Sequence, residues 1–137
     1  MKRFAAIALV VLAGACTAGS LQAQSHEVRA DVPFNFAVGN KQLPAGHYTF
    51  LTMSNYMLVV RNADHQFIIL SNTADADSVK GYSSRLVFRK YGDHYFLREI
   101  LCPSIAMNLE LQQSKLEKQI SVQTASLSPE TTLLALN

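Results

Sequence analysis

The chain reads as all-β: a small antiparallel meander of six to eight strands, closing into a barrel or folding into a sandwich, with one short C-terminal helix. Three observations predict it. Apolar residues recur at every second position, as in Val32, Phe34, Phe36 and Val38, which is the side-chain period of a strand. Clusters of Gly, Pro, Asn and Asp separate these segments at the spacing of tight turns. Only Ser114 to Ile120 carries apolar residues four apart behind a capping residue. Either form hides the sheet edges, and the barrel is favoured.

The first segment is not part of that fold. In "MKRFAAIALVVLAGACTAGSLQAQ", Lys2 and Arg3 precede an apolar run of twelve residues, Phe4 to Ala15. Small residues follow. This is the pattern of a secretory signal peptide over residues 1–23, cleaved after Ala23 and too short for a permanent membrane span. A competing site precedes Cys16 in "LAGAC" and would leave a lipidated cysteine. Bacterial lipid-attachment sequences place Leu three residues before the Cys, where this chain has Ala13. The expected location is exported, periplasmic or extracellular, with a β-domain over residues 24–120. Residues 121–137 form a tail that either adds a last edge strand or hangs free.

Removing residues 1–23 changes two global properties. The whole chain has 12 basic and 10 acidic residues. Lys2 and Arg3 leave with the signal, so the remainder is balanced. A chain near zero net charge has no electrostatic case for nucleic acid or an anionic membrane. Cys102 is then the sole cysteine, which excludes an internal disulfide. It follows an apolar strand in "REILCP", so burial as a small hydrophobe is expected.

The remaining elements follow in order. "VRADVPFNFAV", Val28 to Val38, is a strand in which Pro33 marks an edge or a strand start. "GNKQLPAG" is punctuation. "HYTFLTM" is a strand with Tyr48 and Phe50 on one face. "MLVVRN" and "QFIILSN" form a hairpin around Ala63-Asp64, apolar enough for burial on both faces. "TADADSVKGYSS" is a polar surface loop. "LVFRKYGDHYFLREIL", Leu86 to Leu101, is a hairpin with a two-residue Gly92-Asp93 loop of type II′. That loop pairs Tyr91 with His94, Phe88 with Leu97 and Leu86 with Glu99, and puts Leu86, Phe88, Leu97 and Leu101 on the core face. "AMNLELQQ" alternates as a short strand, and "SKLEKQI" is the helix.

Three motifs carry a resemblance: Pro-Phe-x-Phe at "VPFNF", Leu-Pro-Ala-Gly-x-Tyr at "LPAGHY" and Tyr-Gly-Asp-x-Tyr-Phe-Leu at "YGDHYFL". With them the chain resembles a family of small secreted bacterial β-proteins that share these strands and turns. A Ser-x-x-Glu segment near the C-terminus is common there and matches "SKLE", Ser114 to Glu117. The chain departs from the family after the hairpin, where a Trp and glycines are frequent and this sequence has "ILCPSIA". The resemblance implies the strands and the secreted address. It implies no activity, ligand or catalytic residue.

Two clusters of residues offer candidate site chemistry. Asp64-His65 and Asp93-His94 occupy loop tips, and His47 follows the first loop. In an up-down meander these three loops share one end, which could gather His47, His65, His94, Asp64 and Asp93 around a zinc ion. No pair has tight ligand spacing, and Asp is favoured in turns because it bonds its own backbone. Turn chemistry is therefore the preferred account, with no catalytic, cofactor or metal residue assigned. Arg85, Arg89, Lys90 and Arg98 cluster on one hairpin with Tyr82, Tyr91 and Tyr95. Such a hairpin could bind an anionic polymer, but a solvated strand face with Asp93 and Glu99 as partners is the preferred account. No Gly-x-Ser-x-Gly elbow or phosphate loop is present.

The expected function is an exported non-catalytic β-module that binds an envelope component, a partner protein or a small apolar ligand, without a cofactor. One alternative is a small metal-dependent or thiol enzyme using the loop tips or Cys102. Another is a structural protein anchored by lipid at Cys16. An apolar cavity lined by Phe34, Phe36, Phe50 and Phe88 would favour ligand carriage.

Overall fold

Pro33 divides what the alternation presents as one strand. A computed structural model describes residues 26–54, 57–73 and 83–136. In it β1 (Glu27–Val32) and β2 (Phe36–Val38) belong to different sheets. Proline has no N–H to donate, so pairing stops there and the chain is free to cross from one sheet to the other. The turn Gly39-Asn40, with Gly39 at φ 61°, then reverses the chain into β3 (Lys41–Leu43), a strand inside the stretch expected to be punctuation.

Next come β4 (Gly46–Ser54), β5 (Met57–Arg61) and β6 (Gln66–Leu70). With β1 they form sheet 1, in the order β1-β4-β5-β6, antiparallel throughout. Sheet 2 holds β7 (Asn72–Thr73), β8 (Arg85–Tyr91), β9 (His94–Cys102), β10 (Met107–Glu110) and β11 (Glu130–Ala135) in the order β11-β8-β9-β10-β7. Strand β2 runs parallel to β9 at Ala37 and Phe96, with β3 outside it. Among the described residues the one α-helix is α1 (Lys115–Gln123), three residues longer than its sequence pattern indicates, and a single 3-10 turn spans Pro103–Ile105. The described residues therefore hold eleven strands, against the six to eight expected. The closed ring of a barrel is not formed among the described residues, whose strands make two separate ladders. Most of the polar loop before β8 lies outside those residues.

The two sheets share one core. Val28, Val32, Phe50, Leu58 and Val60 from sheet 1 meet Phe36, Leu86, Phe88, Leu97, Ile100 and Leu109 from sheet 2. Aromatic rings bridge the layers. Phe36 packs edge-on against Tyr48 at 5.0 Å and against Phe88 at 5.6 Å, and Phe34 stacks on Tyr95 at 4.0 Å. Each fully buried ring contributes about 2–3 kcal/mol of hydrophobic stabilisation. Strand β5 is buried on both faces, as expected, but β6 alternates exposed and half-buried residues because it ends the sheet.

The β8–β9 hairpin keeps its expected tip and loses its expected base. Tyr91 pairs with His94 and Phe88 with Leu97, but Leu86 pairs with Ile100 rather than Glu99. A β-bulge at Arg98-Glu99 inserts one residue. Ile100 and Cys102 thus join the shared core, while Leu101 lies on the other face of β9 beside Arg85, buried but outside that core. The spacing of Tyr95, Leu97, Ile100 and Cys102 needs this bulge to keep all four on one face. At the tip, Gly92 has φ 58° and Asp93 does not have positive φ, as a type II′ loop requires.

Helix α1 covers the outer face of sheet 2. Ser114 caps it, its hydroxyl accepting from the Glu117 N–H at 3.1 Å. Ile120 and Leu116 pack on Ala37, Tyr91 and Phe96. Beyond the helix the tail passes Gly92 and returns as β11 along β8, so the last residues supply an edge strand. Among the described residues no helix is long and apolar enough to cross a membrane.

Candidate functional site

The outer face of sheet 1 gathers polar side chains by register. Asp31 stands opposite His47, and Arg29, Thr49 and Arg61 form the next row across three strands. The His47 Nδ1 meets the Asp31 carboxylate. Arg29 Nε lies 3.0 Å from the Glu27 carboxylate, and Arg61 approaches the same group at 3.9 Å. These side chains edge an open groove of about 330 Å³, with Asn62 and Ala63 at one end. The pair is exposed, with His47 at 90% and Asp31 at 64%, so water screens it and its stabilisation is within about 1 kcal/mol. Where Nδ1 is held by a carboxylate, Nε2 is left to face solvent.

The other loop tips hold turn chemistry. Asn62 Oδ1 accepts from the N–H groups of Asp64 at 3.0 Å and His65 at 2.7 Å, and the Asn62 N–H donates to His65 O at 2.9 Å. The Asn62 side chain, rather than Asp64, thus closes the Ala63-Asp64 loop. Tyr48 ties this loop to the preceding one. Its hydroxyl donates to Pro44 O at 2.6 Å and also bonds the Asn62 side chain. Burial raises the Tyr48 hydroxyl above its ordinary value, and the Asn62 bond opposes that. The Tyr of Leu-Pro-Ala-Gly-x-Tyr is therefore the clasp of its own turn.

His94 and Asp93 are exposed at the hairpin tip, beside a groove of about 260 Å³ against Gln42 and Leu43. Among the described residues no group of three or more His, Cys, Asp or Glu is placed to hold a metal ion. The structure joins His47 to Asp31 and does not gather it with Asp64, His65, Asp93 and His94. The meander that would have put the three loops at one end is split here between two sheets.

Cys102 is buried and free. Its sulfur lies 3.1 Å from Ser84 Oγ and 3.5 Å from Ser104 Oγ, at a groove of about 490 Å³ between β1 and the end of β11. The residues lining that groove include no histidine to act as a base.

The pattern along the sequence did not mark the buried charge on the other side of the molecule. Glu117 is 2% exposed, and Arg98 Nη1 lies 3.2 Å from both of its oxygens. Tyr91 donates to Glu117 Oε1 at 3.1 Å. Burial raises the Tyr91 hydroxyl, the Glu117 carboxylate adds to the rise, and Arg89 and Arg98 oppose it. Two of the hairpin cations thus find partners outside the hairpin: Arg98 in Glu117 and Glu110, Lys90 in Glu130. Asp93 and Glu99 had been expected in that role. The Ser-x-x-Glu spacing marks the start of the helix, but an acid at that position ordinarily bonds the capping N–H, so the spacing does not show that Glu117 turns to the sheet.

Phe88 meets Phe34 and Phe36 edge to face, and Tyr48 links Phe36 to Phe50. The aromatic residues that were candidates for a ligand cavity are thus engaged in packing. Comparison with protein-family models, curated proteins and solved structures returns no match.

Proposed function

We propose that this is an exported, non-catalytic β-module that binds a partner protein of the cell envelope through the outer face of sheet 1. One observation carries the reading. Sheet 2 is covered by α1, whereas the outer face of sheet 1 carries a polar row, Arg29-Thr49-Arg61, beside an apolar one, Leu51-Val59-Ile68, in which Val59 is buried, Leu51 half-buried and Ile68 exposed. A polar groove next to a partly exposed apolar row is the make-up of a protein-binding surface. The residues of the family motifs support it from the other side, because they serve packing and turns. Export rests on residues 1–23, and two ladders around one core favour the sandwich form of the fold.

Photo-crosslinking in the exporting cell tests the reading. A crosslinking residue at Thr49 or Leu51 should yield a discrete adduct, and one at Val122 on the exposed side of α1 should not. Failure at both face positions, or the same adduct from Val122, would count against it.

An enzymatic reading has one observation behind it, the His47-Asp31 pair beside Thr49. Ester hydrolysis by the purified protein, lost in His47→Gln, would move the conclusion there.

A further inference from the structure

The two end strands of sheet 1 differ in how they meet solvent. On β1 the outward side chains are Glu27, Arg29 and Asp31, and Pro33 follows. Charge and proline are the usual means of blocking an edge. Strand β6, "QFIIL", has neither: no charge, no proline, and no bulge in its pairing with β5. Its outward side chains include Ile68 at 54% and Leu70 at 74% exposure.

Backbone phase shows what this edge offers. The Asn62 N–H to His65 O bond makes that pair the hydrogen-bonded one that closes the loop. Alternation along an antiparallel ladder then bonds Phe67 and Ile69 to β5. Gln66, Ile68 and Leu70 direct their N–H and C=O groups to the free edge, where no described strand pairs with them.

We infer that β6 pairs antiparallel with β6 of a second copy, about a two-fold axis at Ile68. An antiparallel edge is complementary to itself. The axis places Ile68 opposite its own copy and Gln66 opposite Leu70, and all three are residues whose backbone groups face outward. The side chains agree with this choice of occupant. Leu51, Val59 and Ile68 form one row across sheet 1, and the two-fold joins that row to its copy as a continuous apolar ribbon. No charge on either strand opposes the pairing, whereas β1 paired with itself on a two-fold at Arg29 would set like charges together. One five-residue strand and its adjoining row make a small contact, below the ~800 Å² per partner of stable complexes, so the dimer is weak and forms with rising concentration. The inference rests on the edge of the sheet and not on what its face binds, so either can fail alone.

Light scattering of the processed protein should show monomer passing to dimer as concentration rises. Ile68→Lys sets two like charges opposite each other and should weaken the dimer by about tenfold or more, with the circular dichroism of the wild type retained. Ile68→Cys should form a covalent dimer under mild oxidation, since directly opposed residues lie within disulfide reach. Gln66→Cys should not, because its copy lies roughly 14 Å away along the strand at ~3.4 Å per residue. Cys102 is buried, so the wild type serves as background. A monomer at every concentration, a dimer indifferent to Ile68→Lys, or equal crosslinking from Gln66→Cys would overturn the inference.

Discussion

Arg98 and Glu117 form a charge pair between the bulge of β9 and the first turn of α1, with one guanidinium nitrogen 3.2 Å from both carboxylate oxygens. Arg98 shares the outer face of β9 with Phe96 by alternation, and the bulge shifts only the residues that follow it. Their burial is unequal: the Arg98 side chain is 22% exposed and that of Glu117 is 2%.

That inequality predicts an asymmetry in stability. Arg98→Met leaves Glu117 buried without its cation and should cost about 3–5 kcal/mol. Glu117→Gln leaves Arg98 near water and near Glu110, at 4.0 Å, and should cost less. Joined in one chain, Arg98→Met and Glu117→Gln should destabilise by less than the sum of the two single changes. Urea unfolding of the four proteins decides this. Equal single costs that add would show that the two side chains act independently.

Stability should fall at alkaline pH. The hydroxyls of Tyr48 and Tyr91 are both raised above the ordinary 10.0, chiefly by burial. A raised pKa means that the fold favours the neutral phenol. Its contribution is complete below the unfolded-state value near pH 10 and is lost as pH climbs through the folded-state value. Melting temperature against pH should therefore drop above about pH 10. The drop should be shallower in Tyr91→Phe, and an unchanged slope there would remove Tyr91 from the account.

The hairpin tip tests turn chemistry against a site. Gly92 has φ 58°, and an added Cβ would meet only Leu127 Cδ1, at an ordinary 3.7 Å. The penalty of Gly92→Val is therefore backbone strain, about 1–3 kcal/mol. Asp93→Asn and His94→Gln alter exposed side chains and should each stay within about 0.5 kcal/mol. Denaturant unfolding compares the three. Equal destabilisation by all of them would mean that the tip is more than a turn.

Replacing His47, His65 and His94 together should shift thermal unfolding little, since the first is an exposed partner of Asp31 and the others sit at loop tips. The wild type should melt at the same temperature with and without a chelator. A chelator-sensitive melt that the triple variant lacks would reveal a metal site.

Alternation by itself determined which side chains are buried in most strands. Tyr48 and Phe50, Leu86 and Phe88, and Met107 and Leu109 all face the core as period two requires. Turn residues determined the tips: Gly92-Asp93 and Ala63-Asp64 close their hairpins with the expected loop lengths. The Ser114 cap and the four-residue spacing from Leu116 to Ile120 located the helix. These are local properties, set by neighbours within a few residues, and a single sequence displays them.

Tertiary structure alone decided the rest. Pro33 announced an interruption, but only the assembled sheets show the chain changing layers there. The bulge at Arg98 is one residue in register, a choice made by core packing on Leu97 and Ile100. Glu117 looks like any acid of a helix's first turn until Arg98 and Tyr91, 19 and 26 residues away, close around it. His47 meets Asp31 through a pairing set by the whole length of β1 on β4. Such contacts depend on which strands become neighbours. That is fixed by burying one common core, a condition on the entire chain that no local pattern carries.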